Sequence, residues 1–186
     1  MKILLVLLSC FQLSLLAGES VNSGHAEVRL LSNLQSQRDE TFYLGIEMAM
    51  DKGWHTYWQN PGDSGGAFDV IWESPEGFII ENVSWPTPEL IPYPPLMTYG
   101  YEDYVLFPFQ VFRTAESNLG VVKATINFLI CADICVPESA SIEIDLSTEQ
   151  ASPLIAGGIS KVPNKVVPIS LDLNNQNLNL GFAFDG

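Results

Sequence analysis

The chain has 186 residues, with 22 acidic side chains against 8 basic ones and a formal charge of −14. A surface this acidic repels phosphate backbones, so no nucleic-acid partner is expected. The hydrophobic fraction of 47% is enough to form a packed core and excludes wholesale disorder.

Residues 1–17 read as an export signal. Lys2 is the charged start, Ile3–Leu8 and Phe11–Leu16 form the apolar stretch, and Ala17 is the cleavage point, with a later cut, up to Ala26, as an alternative. No later stretch approaches the ~20 consecutive apolar residues that a membrane-spanning helix needs. The expected product is exported and soluble.

From Ala26 the chain reads as short strands separated by Pro, Gly, Asn and Asp. Phe42, Leu44, Ile46, Met48 and Met50 alternate within Thr41–Met50, and Phe68, Val70 and Trp72 alternate in the next run. Gly77–Trp85 and Tyr104–Phe112 are rich in aromatic and β-branched residues, which suit a pleated surface. Val122, Ala124, Ile126, Phe128 and Ile130 lead into Cys131, and Ile142, Ile144 and Leu146 follow it. No segment carries a long 3.6-residue apolar period. Seven or eight such strands predict an all-β chain, an immunoglobulin-like antiparallel β-sandwich, over residues 26–147.

Pro86–Tyr104 holds five prolines and four tyrosines. That is too much proline for a central strand, so a stiff loop or edge segment is expected, of a kind that often carries function. Residues 148–186 turn to Ser, Pro, Gly and Asn and then alternate weakly over Ser170–Phe184. They read as a linker and the start of a second, truncated module.

Gly62-Asp63-Ser64-Gly65-Gly66 matches the sequence around a serine-protease nucleophile. That chemistry needs a histidine base held by a carboxylate beside the serine. His25 and His55 are the only histidines, the chain is short for a two-barrel protease, and no helix follows Ser64. The motif is therefore read as a glycine-rich turn in which Asp63 or Ser64 caps backbone groups.

Cys131 and Cys135 are the only cysteines outside the signal segment, within Ile130-Cys131-Ala132-Asp133-Ile134-Cys135-Val136-Pro137-Glu138. Three chemistries fit the spacing. A structural staple across about five residues contributes only ~2 kcal/mol in the chain-entropy model, little for a domain with this much core. A zinc site lacks a second ligand pair nearby, although Met48, Met50 and Met97 are soft donors for Cu(I). A dithiol that exchanges with partner thiols needs one reachable sulfur, which a strand end or hairpin tip provides. Asp133 between the two cysteines disfavours a free thiolate, so such a thiol would react only with a docked partner.

Three motifs in order now carry a resemblance: Trp54-His55-Thr56-Tyr57-Trp58-Gln59-Asn60-Pro61-Gly62-Asp63-Ser64-Gly65, then Tyr99-Gly100-Tyr101-Glu102, then Cys131 to Glu138. Together they resemble the N-terminal periplasmic domain of DsbD-type disulfide reductases, closest to the branch that includes ScsB, the suppressor of copper sensitivity. The resemblance implies an immunoglobulin-like domain in the periplasm that works as part of a protein-disulfide reductase, with a redox-active disulfide and no other cofactor or metal. It implies Cys131 and Cys135 as the catalytic pair, with Cys135 engaged first. The expected electron donor is a thioredoxin-like domain or protein. The expected acceptors are periplasmic thiol proteins such as disulfide isomerases, cytochrome c maturation proteins or the ScsC partner of ScsB. A cap loop shields the disulfide in this family, which maps gating onto Met97, Thr98, Tyr99 and Gly100.

This sequence departs from that pattern at Thr98, where the better-known branch has a shielding aromatic residue. Met97 or Tyr99 is then expected to cover the site. The cysteine spacing is also shorter, and the membrane and thioredoxin-like domains are absent from the 186 residues, so either a fragment of a longer reductase or a free-standing acceptor is expected. Trp54, His55, Asp133 and Pro137 are candidate docking or supporting residues. The rival from another class is a non-enzymatic periplasmic module that binds a peptide or a copper-handling partner, with the cysteine pair as a staple.

Overall fold

The computed structural model describes residues 19–148, 150–163, 169–174 and 177–182. The export-signal reading of residues 1–17 lies outside them. In chain order the strands are β1 (Val21–Asn22), β2 (Ala26–Ser32), β3 (Thr41–Met50), β4 (His55–Gly62), β5 (Asp69–Glu73), β6 (Phe78–Val83), β7 (Glu89–Tyr93), β8 (Leu96–Glu102), β9 (Tyr104–Arg113), β10 (Val121–Cys131) and β11 (Cys135–Asp145). A short helix, α1 (Leu154–Ser160), and a hairpin of β12 (Ile169–Asn174) and β13 (Asn177–Phe182) follow.

Two antiparallel sheets stack as a sandwich. One has the order β1-β2-β3-β9-β6, and the other has the order β11-β10-β4-β8-β7 with β5 also paired to β10. The alternation read from the sequence is what packs between them. Phe42, Leu44, Ile46, Met48 and Met50 of β3 are buried, as are Phe107, Phe109 and Val111 of β9. Val122 to Ile130 of β10 and Ile142 and Ile144 of β11 meet them from the other sheet. Each such side chain removed from water contributes about 1.5–3 kcal/mol. Phe68, Trp85, Tyr101 and Phe107 form a tilted and edge-on aromatic group within this core.

Three features differ from expectation. The two sheets hold eleven strands rather than seven or eight. Part of the excess comes from Pro86–Tyr104, which forms the hairpin of β7 and β8. β8 is an interior strand between β4 and β7. Pro86 and Pro88 precede β7, Pro92 lies on β7 at the sheet edge, and Pro94 and Pro95 form the turn, so none of them interrupts the interior strand β8. The tail also contains a helix that no long apolar period announced. α1 has only two buried residues, Ile155 and Gly158, and docks on the outer face of the first sheet against Leu31 and Leu106. Gly45 leaves the space this needs, because a Cβ there would collide with Ile155.

The β10–β11 hairpin organises the functional end of the molecule. Its ladder runs without interruption from Val121↔Asp145 to Cys131↔Cys135. The same tip meets β4 at Cys131↔His55. Three elements thus converge on the cysteines: the β10–β11 tip, β4, and β8 paired to β4.

Candidate functional site: a hairpin-tip disulfide

Cys131 and Cys135 are joined by a disulfide, with an S–S distance of 2.09 Å. The ladder register makes them direct cross-strand partners at the last pair before the turn. Ala132 N–H closes that turn on the Ile134 carbonyl at 3.0 Å. The two sulfurs are not equivalent. Cys131, on the strand side, is 1% exposed, whereas Cys135 is an exposed residue. Ile134, between them, is 67% exposed and projects an apolar side chain at the tip.

Beside the disulfide lies a cavity of about 210 Å³, lined by His55, Tyr57, Ser64, Ile91, Leu96, Thr98, Cys131, Ala132, Asp133 and Cys135. Its polar centre is Tyr57. The phenol hydroxyl donates to Cys131 Sγ at 2.8 Å and lies 3.3 Å from Cys135 Sγ. Tyr57 is 1% exposed, and burial pushes its phenol pKa up, partly opposed by the neighbouring Ser64 side chain. The phenol therefore stays protonated and remains a donor. His55 packs edge-on against Tyr57 with ring centroids 5.3 Å apart. Burial pulls the His55 pKa down, partly countered by the Glu102 carboxylate, so a neutral imidazole is favoured.

The Gly62–Gly66 motif is a turn, as read from the sequence. Gly62 and Gly65 have φ of 86° and 88°, the left-handed region that a side chain disfavours. Asp63 N–H donates to the Met97 carbonyl at 3.0 Å, and Met97 N–H donates to Asp63 Oδ2 at 2.9 Å. Ser64 Oγ bonds Thr98 Oγ1 at 3.0 Å. The turn thus ties β8 to β4 beyond the irregularity in their ladder between Tyr57 and Gly62.

The four cap residues separate by strand alternation. Thr98 is 2% exposed and lines the cavity, while Met97 and Tyr99 are 47% and 39% exposed and point away from it. The expectation that Met97 or Tyr99 covers the disulfide is therefore corrected: Leu96, Thr98 and Ile91 supply that wall. The period-2 geometry of β8 places residues 96 and 98 on one face and 97 and 99 on the other. Gly100 sits where a Cβ would strike the Thr56 carbonyl, so it permits close pairing of β8 with β4.

Of the supporting candidates, His55 and Asp133 line the cavity. Trp54 does not; it stacks on His25 with centroids 3.7 Å apart. Pro137 lies on β11 opposite Leu129, below the tip. The next residue, Glu138, is held by His25 Nδ1 at 2.5 Å and Ser23 Oγ at 2.6 Å, which locks the N-terminal segment to β11. Met48 and Met50 are buried in the core and Met97 is exposed on β8, so they do not form a donor set at the thiols. Tyr57, Ser64, Leu96 and Ile91 were not among the sequence-derived site residues. Tyr57 and Ser64 stand inside motifs read from the sequence, but nothing local marked any of the four as lining the disulfide, because that part comes from pairing between strands.

An antiparallel sandwich that presents a disulfide at a hairpin tip, one sulfur buried on a phenol and the other open, defines an immunoglobulin-like disulfide-carrying domain. The family model described as "Thiol:disulfide interchange protein DsbD, N-terminal" matches residues 27–146, and the chain belongs to that family. The N-terminal periplasmic domain of ScsB from Proteus mirabilis is 25% identical with a TM-score of 0.64, over 88% of this chain and 67% of that one. The reduced N-terminal domain of Neisseria meningitidis DsbD is 14% identical over 63% of this chain and 83% of that one, with a TM-score of 0.32. The GAE domain of yeast GGA1 is 15% identical over 69% and 99%, with a TM-score of 0.36. Neither of these two carries weight at such scores. No curated protein matches the chain.

Proposed function

We propose that this chain is a periplasmic relay domain that carries two electrons from a thioredoxin-like dithiol to periplasmic acceptor proteins through Cys131 and Cys135. Membership in the thiol–disulfide interchange family and the likeness to a periplasmic ScsB domain support the compartment and the partner class. The observation that carries the reading is the asymmetry of the disulfide: Cys135 is reachable, while Cys131 is buried beside a hydroxyl donor.

The step balances as follows. A partner thiolate attacks Cys135 Sγ, and the Cys131–Cys135 bond breaks with its electron pair passing to Cys131 Sγ. The partner's second thiolate attacks its own sulfur in the mixed disulfide and releases Cys135 as a thiolate. The partner leaves oxidised and this domain keeps the dithiol. In the second half, Cys135 thiolate attacks the disulfide of an acceptor, and Cys131 resolves the mixed disulfide. The β7–β8 hairpin, through Ile91, Leu96 and Thr98, gates the approach, and exposed Ile134 gives an apolar contact for the docked partner.

Trapping tests the order of attack. Cys131→Ser leaves the exposed thiol and should form a stable mixed disulfide with a thioredoxin-like protein that carries one reactive cysteine. Cys135→Ser should trap at least about tenfold more slowly, because its remaining thiol is buried. Equal trapping by both, or no electron transfer between the oxidised wild type and a reduced thioredoxin-like dithiol, removes the proposal.

A further inference from the structure

Sulfur exchange needs only the open side of Cys135, yet both cysteines also form one wall of the cavity of about 210 Å³. Another wall is the β7–β8 hairpin, through Ile91, Leu96 and Thr98. Ile91 is 7% exposed and Thr98 2%, so packing fixes most of that wall, while Leu96 is half-buried.

Three polar side chains in the lining already have partners inside the protein. Ser64 Oγ and Thr98 Oγ1 bond each other at 3.0 Å, and the Tyr57 hydroxyl donates to Cys131 Sγ at 2.8 Å. A group that entered would gain little from new polar contacts with them and most from leaving water. The charge at the cavity is that of Asp133, which is exposed on the turn beside Cys135.

Size narrows the occupant. A cavity of about 150 Å³ takes up a benzene molecule, whereas pockets for drug-sized ligands begin at about 300 Å³. The space beside the disulfide therefore fits one apolar side chain and is too small for a whole tripeptide thiol. Reach selects which side chain. In a mixed disulfide the two cysteine Cα atoms lie about 4.4–6.8 Å apart, and the next residue's Cα is ~3.8 Å further on. The residue adjacent to the partner's cysteine is the one delivered to a cavity that Cys135 itself lines.

We infer that this cavity is a specificity pocket: it receives an uncharged, apolar side chain that neighbours the partner's reactive cysteine in sequence, and it disfavours an acidic one. This role rests on the exchange reading and deepens it, because it states what the docked protein presents beside its sulfur. An apolar neighbour leaves water as the mixed disulfide forms and so stabilises it over one with a glycine neighbour. An acidic neighbour faces the Asp133 carboxylate and loses its own hydration in a space that offers it no cation.

The experiment uses the full chain with Cys131→Ser, so that no second thiol resolves a mixed disulfide at Cys135. The Cys135 thiolate attacks one sulfur of a symmetric peptide disulfide, that S–S bond breaks, and the other peptide leaves as a thiolate. Terminally blocked Gly-Cys-Gly, Gly-Cys-Leu, Leu-Cys-Gly and Gly-Cys-Glu, in equal amounts and each present as thiol and disulfide, compete until the populations at Cys135 are constant. Mass spectrometry of the digested protein reads them. A leucine peptide, in at least one of its two orders, should exceed Gly-Cys-Gly about tenfold, and Gly-Cys-Glu should fall below it. Thr98→Phe, which fills the cavity, should bring the leucine ratio close to unity while Cys135 still reacts. Leu96→Ala strips a half-exposed part of the wall and should lower the ratio about two- to threefold; it keeps the test in force should Thr98→Phe disturb the fold.

A leucine ratio close to unity in the parent overturns the inference, as does a preference that both cavity variants leave unchanged. If the wild type exchanges with a thioredoxin-like dithiol but the peptides do not differ, only the pocket fails. If the wild type ignores that dithiol while the leucine preference appears and vanishes with the cavity, the relay reading fails and the pocket stands.

Discussion

Opening the Cys131–Cys135 bond should leave the sandwich folded, and the size of the effect can be worked from the structure. The bond closes a loop of about five residues, since the cysteines are four positions apart. In the chain-entropy model such a loop contributes ~2 kcal/mol. The hairpin it closes is already held by a continuous β10–β11 ladder and by burial of Ile126, Phe128, Ile130, Ile142 and Ile144. Each of those side chains contributes about as much as the bond itself. For a chain of this size about 1 kcal/mol shifts the melting temperature by roughly 2–4 °C, so reduction should lower it by roughly 4–8 °C. Calorimetry of the oxidised and reduced forms, with the Cys131→Ser/Cys135→Ser double variant as a control, measures this. A cooperative transition should persist in all three. Loss of the transition, or a drop beyond about 15 °C, would falsify the argument that the bond is free to open and would make it a staple.

Stability should fall as the pH falls. The folded-state pKa of His55 lies below its ordinary 6.5, first because of burial, so the unfolded chain binds the proton first. Its contribution is complete above 6.5 and is lost as pH drops through the folded value. For Glu138, burial raises the pKa, but the bonds from Ser23 and His25 outweigh it and hold it below the ordinary 4.5. Its contribution is complete above 4.5 and is lost below. Urea titrations from pH 7.5 to 3.5 should show two successive losses, the upper one flattened by His55→Gln and the lower by Glu138→Gln; a curve that rises toward acid contradicts both assignments. Gly65→Ala combines a positive φ with a collision against Tyr57, and should cost at least about 1–2 kcal/mol in a denaturant titration. Ile155→Ala removes the fully buried anchor of α1 and should cost roughly 2–5 kcal/mol. An unchanged midpoint there would mean that the helix does not dock.

What the sequence determined by itself was whatever repeats along one strand. Alternation in Thr41–Met50 and Val122–Ile130 announced the inner faces of two sheets, because a pleated strand turns every second side chain to the same side. The cysteine spacing, the turn residues and the three ordered motifs marked the hairpin tip and the family. Tertiary structure decided whatever depends on register between strands. Tyr57 reaches Cys131 because His55 pairs with Cys131 and Tyr57 with Gly100. Thr98 rather than Met97 or Tyr99 faces the disulfide, because the phase of β8 is set by its pairing with β4 and β7, and a slip of one residue would reverse it. The proline-rich segment could become a hairpin because its prolines fall before β7, on that edge strand or in the turn, and none on the interior strand β8. The docking of α1 was likewise invisible locally: seven residues carry too little periodic signal, and the site they cover exists only once Gly45 and Leu106 have been brought side by side.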